Sequence, residues 1–279
     1  MLRMVGVVFV LAVIQGLTEF LPVSSSGHLV ILETVFGFRG SGAYSGVLFE
    51  VAVHVGTLGA VVIFYREKIA RLISSFFHFV RSLIADGAKL EDDERDDINF
   101  LLLLVIGTIP AGIVGGIFKD RIESAFSNPV LASYFLILTG LFLLLSIKGK
   151  GNKRITPLFA IVIGIAQAFA IMPGISRSGW TITTALLLGV GYMEAASFSF
   201  LLSIPAILGA LVLEVAGNQM DMSGSALALI VFGALVSFVT GYLALKILLR
   251  ILKGAKLYRF SYYLLPIGIA TLIYYSYIR

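Results

Sequence analysis

Residues 14–28 read IQGLTEFLPVSSSGH and residues 166–179 read AQAFAIMPGISRSG, two polar stretches with proline and glycine set inside apolar sequence. Lipid cannot satisfy the backbone groups that such a break exposes, so a break persists only where protein or a wet cavity surrounds it. The regions 5–32 and 155–190 are each hydrophobic at both ends and interrupted in the middle. Each therefore reads as two short helices forming a re-entrant hairpin, in preference to one kinked spanning helix followed by an interfacial one.

The rest of the chain supplies the membrane setting. Of 279 residues, 58% are hydrophobic and 13% charged, and the mean hydropathy is +1.00. That is more apolar material than one soluble core needs. Six apolar stretches, 47–65, 99–118, 129–147, 195–215, 225–249 and 262–278, are each long enough to cross about 30 Å of hydrocarbon. The expected fold is an all-α polytopic membrane protein, a single integral membrane domain over 1–279, with six full transmembrane helices plus two re-entrant helical hairpins.

The two polar stretches share a register. Gln15 and Gly27 are spaced as Gln167 and Gly179 are, and Ser24, Ser25 and Ser26 align with Ser176, Arg177 and Ser178. Pro22 and Pro173 miss by one place, and downstream Gly59-Ala60-Val61-Val62 echoes Gly209-Ala210-Leu211-Val212. A unit of one hairpin and three crossings is thus written twice, at about 5–147 and 155–278. Three crossings reverse the side of entry, so the repeats should have inverted topology, with hairpin tips meeting near the centre.

Lys and Arg concentrate in 66–98, 148–154 and 250–259 and are sparse in 119–128 and 216–224. With six crossings these sets fall on opposite faces, which puts the first set in the cytoplasm and both termini outside. The acidic run 91–97 reads as a flexible, solvated excursion of the first loop. The same bias accounts for the net charge of +5 and gives no reason to invoke nucleic acid. Arg3 before an apolar run imitates a signal peptide, but the polar motif occupies the place of a cleavage site. With no cysteine, disulfides, thiolate nucleophiles and sulfur-bound metals are excluded.

The copies differ in the residues able to do chemistry. Glu19 and His28 occur only in the first and Arg177 only in the second, where Ile171 stands opposite Glu19. Arg177 offers a permanent charge and a planar donor fork suited to phosphate oxygens. An arginine inside the bilayer costs at least about 2.5 kcal/mol, which argues against an accidental one. Gly174 and Gly179 permit a tight turn whose N–H groups can assist. Glu19 can coordinate a divalent cation or take a proton, with Gln15 one turn before it on the same face; the plain alternative is an ion pair with the arginine. His28 suits general acid or base work, or a buried polar contact. Ser24, Ser25 and Ser26 can serve as nucleophile, ligand hydroxyls or helix caps. Glu50 and His54, one turn apart, make a weak metal pair. His78 reads as interfacial, Glu194 and Glu214 as helix-end residues, and the tyrosines between 258 and 277 as an interface belt.

QGLTEFLPVSSSGH at 15–28 resembles the E-G-x-T-E-F-L-P-V-S-S-[ST]-G-H signature of the BacA/UppP family of undecaprenyl-diphosphate phosphatases, and PGISRSG at 173–179 resembles its P-G-x-S-R-S-G stretch. The resemblance runs essentially the length of the chain. It implies a multi-pass enzyme of the cell membrane that removes the terminal phosphate of a C55 polyprenyl diphosphate, regenerating the monophosphate carrier for cell-wall glycan synthesis. It further implies a site open to the outer side and a divalent cation, Mg2+ or Ca2+, as cofactor. By that resemblance Glu19, His28 and Arg177 are catalytic, with Ser25 the favoured nucleophile. Gln15, Ser24, Ser26, Gly174, Ser176 and Ser178 join Arg177 as phosphate-binding lining, and Glu19, helped by Gln15, is the metal ligand. Gln15 stands where the signature opens on glutamate; its amide oxygen can ligate, but it carries no negative charge. The partners are the lipid diphosphate and the bilayer, with a homo-oligomer left open. The rival reading is a transporter or flippase of a phosphorylated polyprenyl lipid or small anion, because broken helices in inverted repeats are also transporter architecture. Glu19 and His28 separate the two: an enzyme needs them, whereas an anion carrier works with Arg177 and hydroxyls.

Overall fold

The computed structural model describes residues 2–36, 47–84, 90–149, 151–217 and 224–278. In chain order its helices are α1 (Leu2–Phe20), α2 (Ser25–Phe36), α3 (Val47–Phe64), α4 (Arg66–Ile84), α5 (Asp92–Ile117), α6 (Lys119–Ala125), α7 (Pro129–Leu144), α8 (Pro157–Phe169), α9 (Arg177–Leu187), α10 (Tyr192–Gly217), α11 (Gly224–Lys253) and α12 (Ser261–Ile273). The interrupted regions resolve into α1 with α2 and α8 with α9, each pair packed together across a short turn. The pairs are unequal. α1 has 19 residues, about 28 Å at the helical rise, whereas α2, α8 and α9 have 12, 13 and 11.

Among the described residues, four helical segments are long and apolar enough to cross a membrane: Asp92–Ile117, Pro129–Lys148, Tyr192–Val212 and Leu227–Lys253. Val51–Phe64 is a shorter apolar helix, and the stretch expected at 262–278 divides into α12 and a π-helical turn, Tyr274–Ile278. Leu102, Val105, Ile109, Ile113 and Ile117 on α5, and Val231, Leu235, Val239, Leu243 and Ile247 on α11, are exposed at helical spacing. Water would not leave apolar stripes of that length bare on a soluble monomer, whereas lipid covers them. The chain is a multi-pass membrane protein.

Local chemistry sets several helix starts. The Asn128 side chain accepts from the Leu131 N–H at 3.0 Å ahead of Pro129, and Thr156 does the same for Phe159 at 3.3 Å ahead of Pro157. Both pair a polar N-cap with a proline at the first helical position. The acidic run 91–97 is not a flexible excursion: it forms the start of α5, with most of its side chains exposed. Glu91 and Glu94 form a reciprocal capping box, and the acids of the first turn of α5 meet the positive end of the helix dipole. Asp97 is buried, held by Arg71 Nε at 3.0 Å and by the Ser75 hydroxyl at 3.1 Å. Those two donors lie on the amphipathic α4, so the run fastens α4 to α5.

The main core gathers Phe20, Leu136, Leu143, Phe198, Phe200, Leu245 and Leu248, with Phe20 edge-on to Phe200 at 5.8 Å. The first helix of each hairpin packs chiefly on a helix from the other half of the sequence, α1 on α11 and α8 on α5. Both contacts close through glycine. A Cβ on Gly16 would meet the Ser237 carbonyl at 2.7 Å, and one on Gly164 would meet the Gly107 carbonyl at 2.3 Å. This clamping presents the hairpin turns to each other in the interior.

Candidate active site

The second helix of each hairpin starts on the same device. Ser24 Oγ accepts from the Gly27 N–H at 3.2 Å, and Ser176 Oγ accepts from the Gly179 N–H at 3.2 Å. Each capping hydroxyl also lies 3.3 Å from the serine two places on, Ser26 or Ser178. Four of the serines expected to line the site thus begin α2 and α9. The turns differ in where the backbone enters the left-handed region: at Gly174 (φ +97°) in the second copy, but at Ser24 itself (φ +67°) in the first. A side chain tolerates that conformation at a cost of order 1 kcal/mol, and such strain is found at functional turns.

The two tips touch through main chain. A Cβ on Gly27 would stand 2.8 Å from the Gly174 α-carbon, and one on Gly179 would stand 3.1 Å from the Pro22 Cβ. Ser178 Oγ donates to the Leu21 carbonyl at 3.4 Å across the same joint. Thr139 of α7 fixes the second tip from outside, donating to the Gly174 carbonyl at 3.0 Å and accepting from the Ser176 N–H at 3.2 Å. Gly27→Ala therefore forces the tips apart, because backbone cannot yield as a side chain can. Overpacking of this kind costs about 1–3 kcal/mol. Phosphate release should fall on the order of tenfold or more, since small misplacements at a reacting centre are expensive. Gly6→Ala, where a Cβ meets nothing within 4 Å, is the control; thermal midpoints and rates of both proteins check the expectation.

This joint brings Glu19 and Arg177 together, 158 residues apart in sequence. Arg177 Nη2 donates to Glu19 Oε1 at 2.7 Å, and the two side chains keep only 14% and 9% of their surface. The other carboxylate oxygen, Oε2, accepts from Ser25 Oγ at 2.7 Å and from Gln15 Nε2 at 3.0 Å. Arg177 Nη1 reaches toward the Ser199 carbonyl at 3.5 Å, and Ser199 Oγ lies 2.6 Å from Thr181 Oγ1. Carboxylate, hydroxyl and guanidinium are thus in one hydrogen-bonded string, with the serine oriented by the group able to take its proton. Gln167, which the register sets against Gln15, is buried with neither amide atom partnered among the described residues. The reason is the asymmetry of the copies: Ile171 occupies the place where Glu19 would accept.

His28 faces a different neighbour. Its Nδ1 lies 2.8 Å from the Ser24 carbonyl, an acceptor only, so Nδ1 carries a proton. Its Nε2 lies 2.8 Å from the Tyr263 hydroxyl of α12, with the two rings near coplanar. Tyr263, Ser199 and Thr139 belong to no motif, and only Tyr263 had a signal, as part of the aromatic cluster read as an interface belt. His54 of α3 lies within electrostatic range of Glu19, closer to the centre than the weak pairing with Glu50 suggested; the Glu50 and Glu214 side chains lie outside the described residues. His78 pairs with Glu94 across α4 and α5. Glu194, in the first turn of α10, accepts from the Ile155 N–H at 3.2 Å and so anchors the entry to the second hairpin.

Among the described residues no three His, Asp or Glu side chains gather as a metal site. The donors at the centre still suit a hard cation. Gln15 is fully buried and its Oε1 has no partner among the described residues, which leaves an oxygen beside the Glu19 carboxylate. One carboxylate plus neutral oxygens is the protein's usual share of a site that substrate phosphates complete.

The chain matches the family model of the bacitracin resistance protein BacA over residues 8–270. It is similar to an undecaprenyl-diphosphatase of Treponema denticola, 38% identical over 95% of this chain and 96% of the relative. A relative of the same name from Desulfatibacillum aliphaticivorans is 41% identical over 95% and 97% of the two chains. One from Methanococcus vannielii is 41% identical over 95% and 98%.

Proposed function

The chain belongs to the bacitracin resistance protein BacA family, and from that membership and the joined hairpin tips we infer that it hydrolyses undecaprenyl diphosphate to the monophosphate and inorganic phosphate, recycling the lipid carrier. The observation that carries this reading to particular atoms is the Glu19 carboxylate, hydrogen-bonded by Ser25 and ion-paired with Arg177. An anion carrier has no use for a carboxylate aimed at a hydroxyl, and the relatives are named as diphosphatases, so the transporter reading is not favoured.

In the reaction proposed, the diphosphate competes with Glu19 for the Arg177 guanidinium, which then stabilises charge on the transferring phosphoryl group. Glu19 Oε2 takes the Ser25 proton as Oγ attacks the terminal phosphorus. The bond from that phosphorus to the bridging oxygen breaks, and the lipid monophosphate leaves. Water then cleaves the phosphoserine: His28 receives the proton of the attacking water, Glu19 returns its proton to the leaving Ser25 Oγ, and inorganic phosphate departs. Glu19 and the orphaned Gln15 oxygen would hold the divalent cation, Mg2+ or Ca2+, which supplies charge neutralisation at the phosphates when bound.

Part of the isoprenoid tail is assigned to an apolar groove of about 530 Å³ between α4, α5 and α10, lined by residues that include Ile69, Leu101, Val105, Gly112, Leu201 and Pro205. Leu201 is two residues from Ser199, whose carbonyl accepts from Arg177 Nη1 at 3.5 Å. A Cβ on Gly112 meets nothing within 4 Å, so Gly112→Phe fills the groove without disturbing the helix. It should raise KM for long polyprenyl diphosphates several-fold while sparing short ones; equal effects on both would remove the tail from this groove.

We also propose six crossings in two inverted repeats, termini outside and the site open to the outer side. The matched serine caps and the reciprocal packing of α1 on α11 and α8 on α5 support the repeat, and the bias of Lys and Arg supports the orientation. The function is tested by incubating purified protein with C55 diphosphate, with and without chelator, and measuring phosphate release. Metal-independent movement of the lipid across vesicles without hydrolysis would reinstate the transporter.

A further inference from the structure

Arg250, Lys256 and Arg259 converge on a second cavity, of about 410 Å³, whose remaining walls are Ile251, Gly254, Phe260 and Tyr263. α11 ends at Lys253, and the chain turns back through Ala255 in the left-handed region (φ +52°) before a short 3-10 turn, Leu257–Phe260, leads into α12. That reversal carries Lys256 and Arg259 round to face Arg250 of the last turn of α11.

Several other cations have partners. Arg71 pairs with Asp97, Arg154 with Asp96 and Arg66 with Glu67, while Lys68 donates to the Ser197 hydroxyl at 3.0 Å. None of the three cations around the cavity has an ion-pair partner among the described residues, and the sequence from 224 to its end contains no Asp or Glu. Three like charges around one concavity repel one another, and an anion seated between them removes that penalty. Spread over an open face, they would serve charge bias alone; gathered round a cavity with an aromatic and aliphatic floor, they make a headgroup site. The floor runs into α12, whose Tyr262, Ile269 and Ile273 are exposed on the apolar surface, a path for an acyl chain.

We propose that the Arg250–Lys256–Arg259 cavity binds a phosphate-bearing anion, the headgroup of an acidic phospholipid, at a site separate from the Glu19–Arg177 centre. The wall residue Tyr263 is the one whose hydroxyl meets His28 at 2.8 Å. Tyr263 thus belongs both to this cavity and to the surroundings of the imidazole.

The test is native mass spectrometry of the full chain in detergent, offered phosphatidylglycerol and phosphatidylcholine in equal amounts, for wild type and Arg250→Gln/Arg259→Gln. The wild type should retain phosphatidylglycerol preferentially, and the double variant should lose most of that preference, roughly tenfold, with its thermal midpoint little changed because both side chains are exposed. A second arm measures the thermal midpoint with inorganic phosphate alone. A rise in wild type that the double variant lacks, without lipid selectivity, would assign the cavity to free phosphate as the source of the same chemistry. Equal lipid retention by both proteins with no response to phosphate overturns the proposal. So does loss of selectivity in the double variant Glu19→Gln/Arg177→Gln, which leaves no stranded buried charge and would place the headgroup at the centre instead. Binding is read without turnover, so the outcome stands apart from that of the hydrolysis assay.

Discussion

Arg177→Ala should lower the rate of phosphate release by about three orders of magnitude or more, the scale on which an arginine stabilises phosphoryl transfer. The same change removes the partner of a carboxylate with 9% of its side-chain surface left. Breaking a buried ion pair from one side costs about 3–5 kcal/mol, so a dead Arg177→Ala protein could simply be an unfolded one. The double variant Glu19→Gln/Arg177→Gln settles this. Two amides replace two charges, no buried charge is stranded, and stability should return to within about 1–2 kcal/mol of wild type while activity stays lost. Arg177→Lys should recover stability better than activity, because an ammonium cannot supply the planar fork. Phosphate release near the wild-type rate from any of these purified proteins would remove Arg177 from the chemistry.

Glu19→Gln alone should act on kcat. The amide keeps the shape of the carboxylate but cannot take the Ser25 proton, and loss of a positioned general base costs about 10²–10⁴-fold. It also releases Arg177 from its resting partner, so KM for the diphosphate should stay the same or fall. A pure loss of substrate affinity would give the opposite pattern, a raised KM with kcat intact, and that result would reassign Glu19 to ground-state binding. The cation requirement provides a second readout. With Gln15 left as the neighbouring oxygen donor, half-maximal activity should demand more Mg2+ or Ca2+ than the wild type does.

Short-range relations in the site were legible in the sequence. Gln15 and Glu19 are one helical turn apart, and their side chains meet as that spacing implies. The serines fall where helix-starting residues belong, and they cap. Glu19 with Arg177 needed more: only the duplication of the motif suggested that two distant turns would meet. Ser199 and Thr139 gave no signal, and Tyr263 and His54 were visible without their place at the centre, since each arrives on a helix whose rotation about its own axis is fixed by packing, and no motif records that rotation. The acidic run 91–97 failed for a related reason. Charge density alone describes a solvated strand of chain, but Arg71 and Ser75 on α4 supply the partners that let Asp97 be buried.

The contact between Gly27 and Gly174 constrains how the molecule can have changed over time. The two polar stretches differ in chemistry, with acid and imidazole in one and guanidinium in the other. The joint between them leaves no such freedom. A side chain at position 27 collides with main chain from the opposite copy, and one at 174 collides with the Ala132 carbonyl 2.3 Å away. Substitution at either position therefore requires the backbone opposite it to move first.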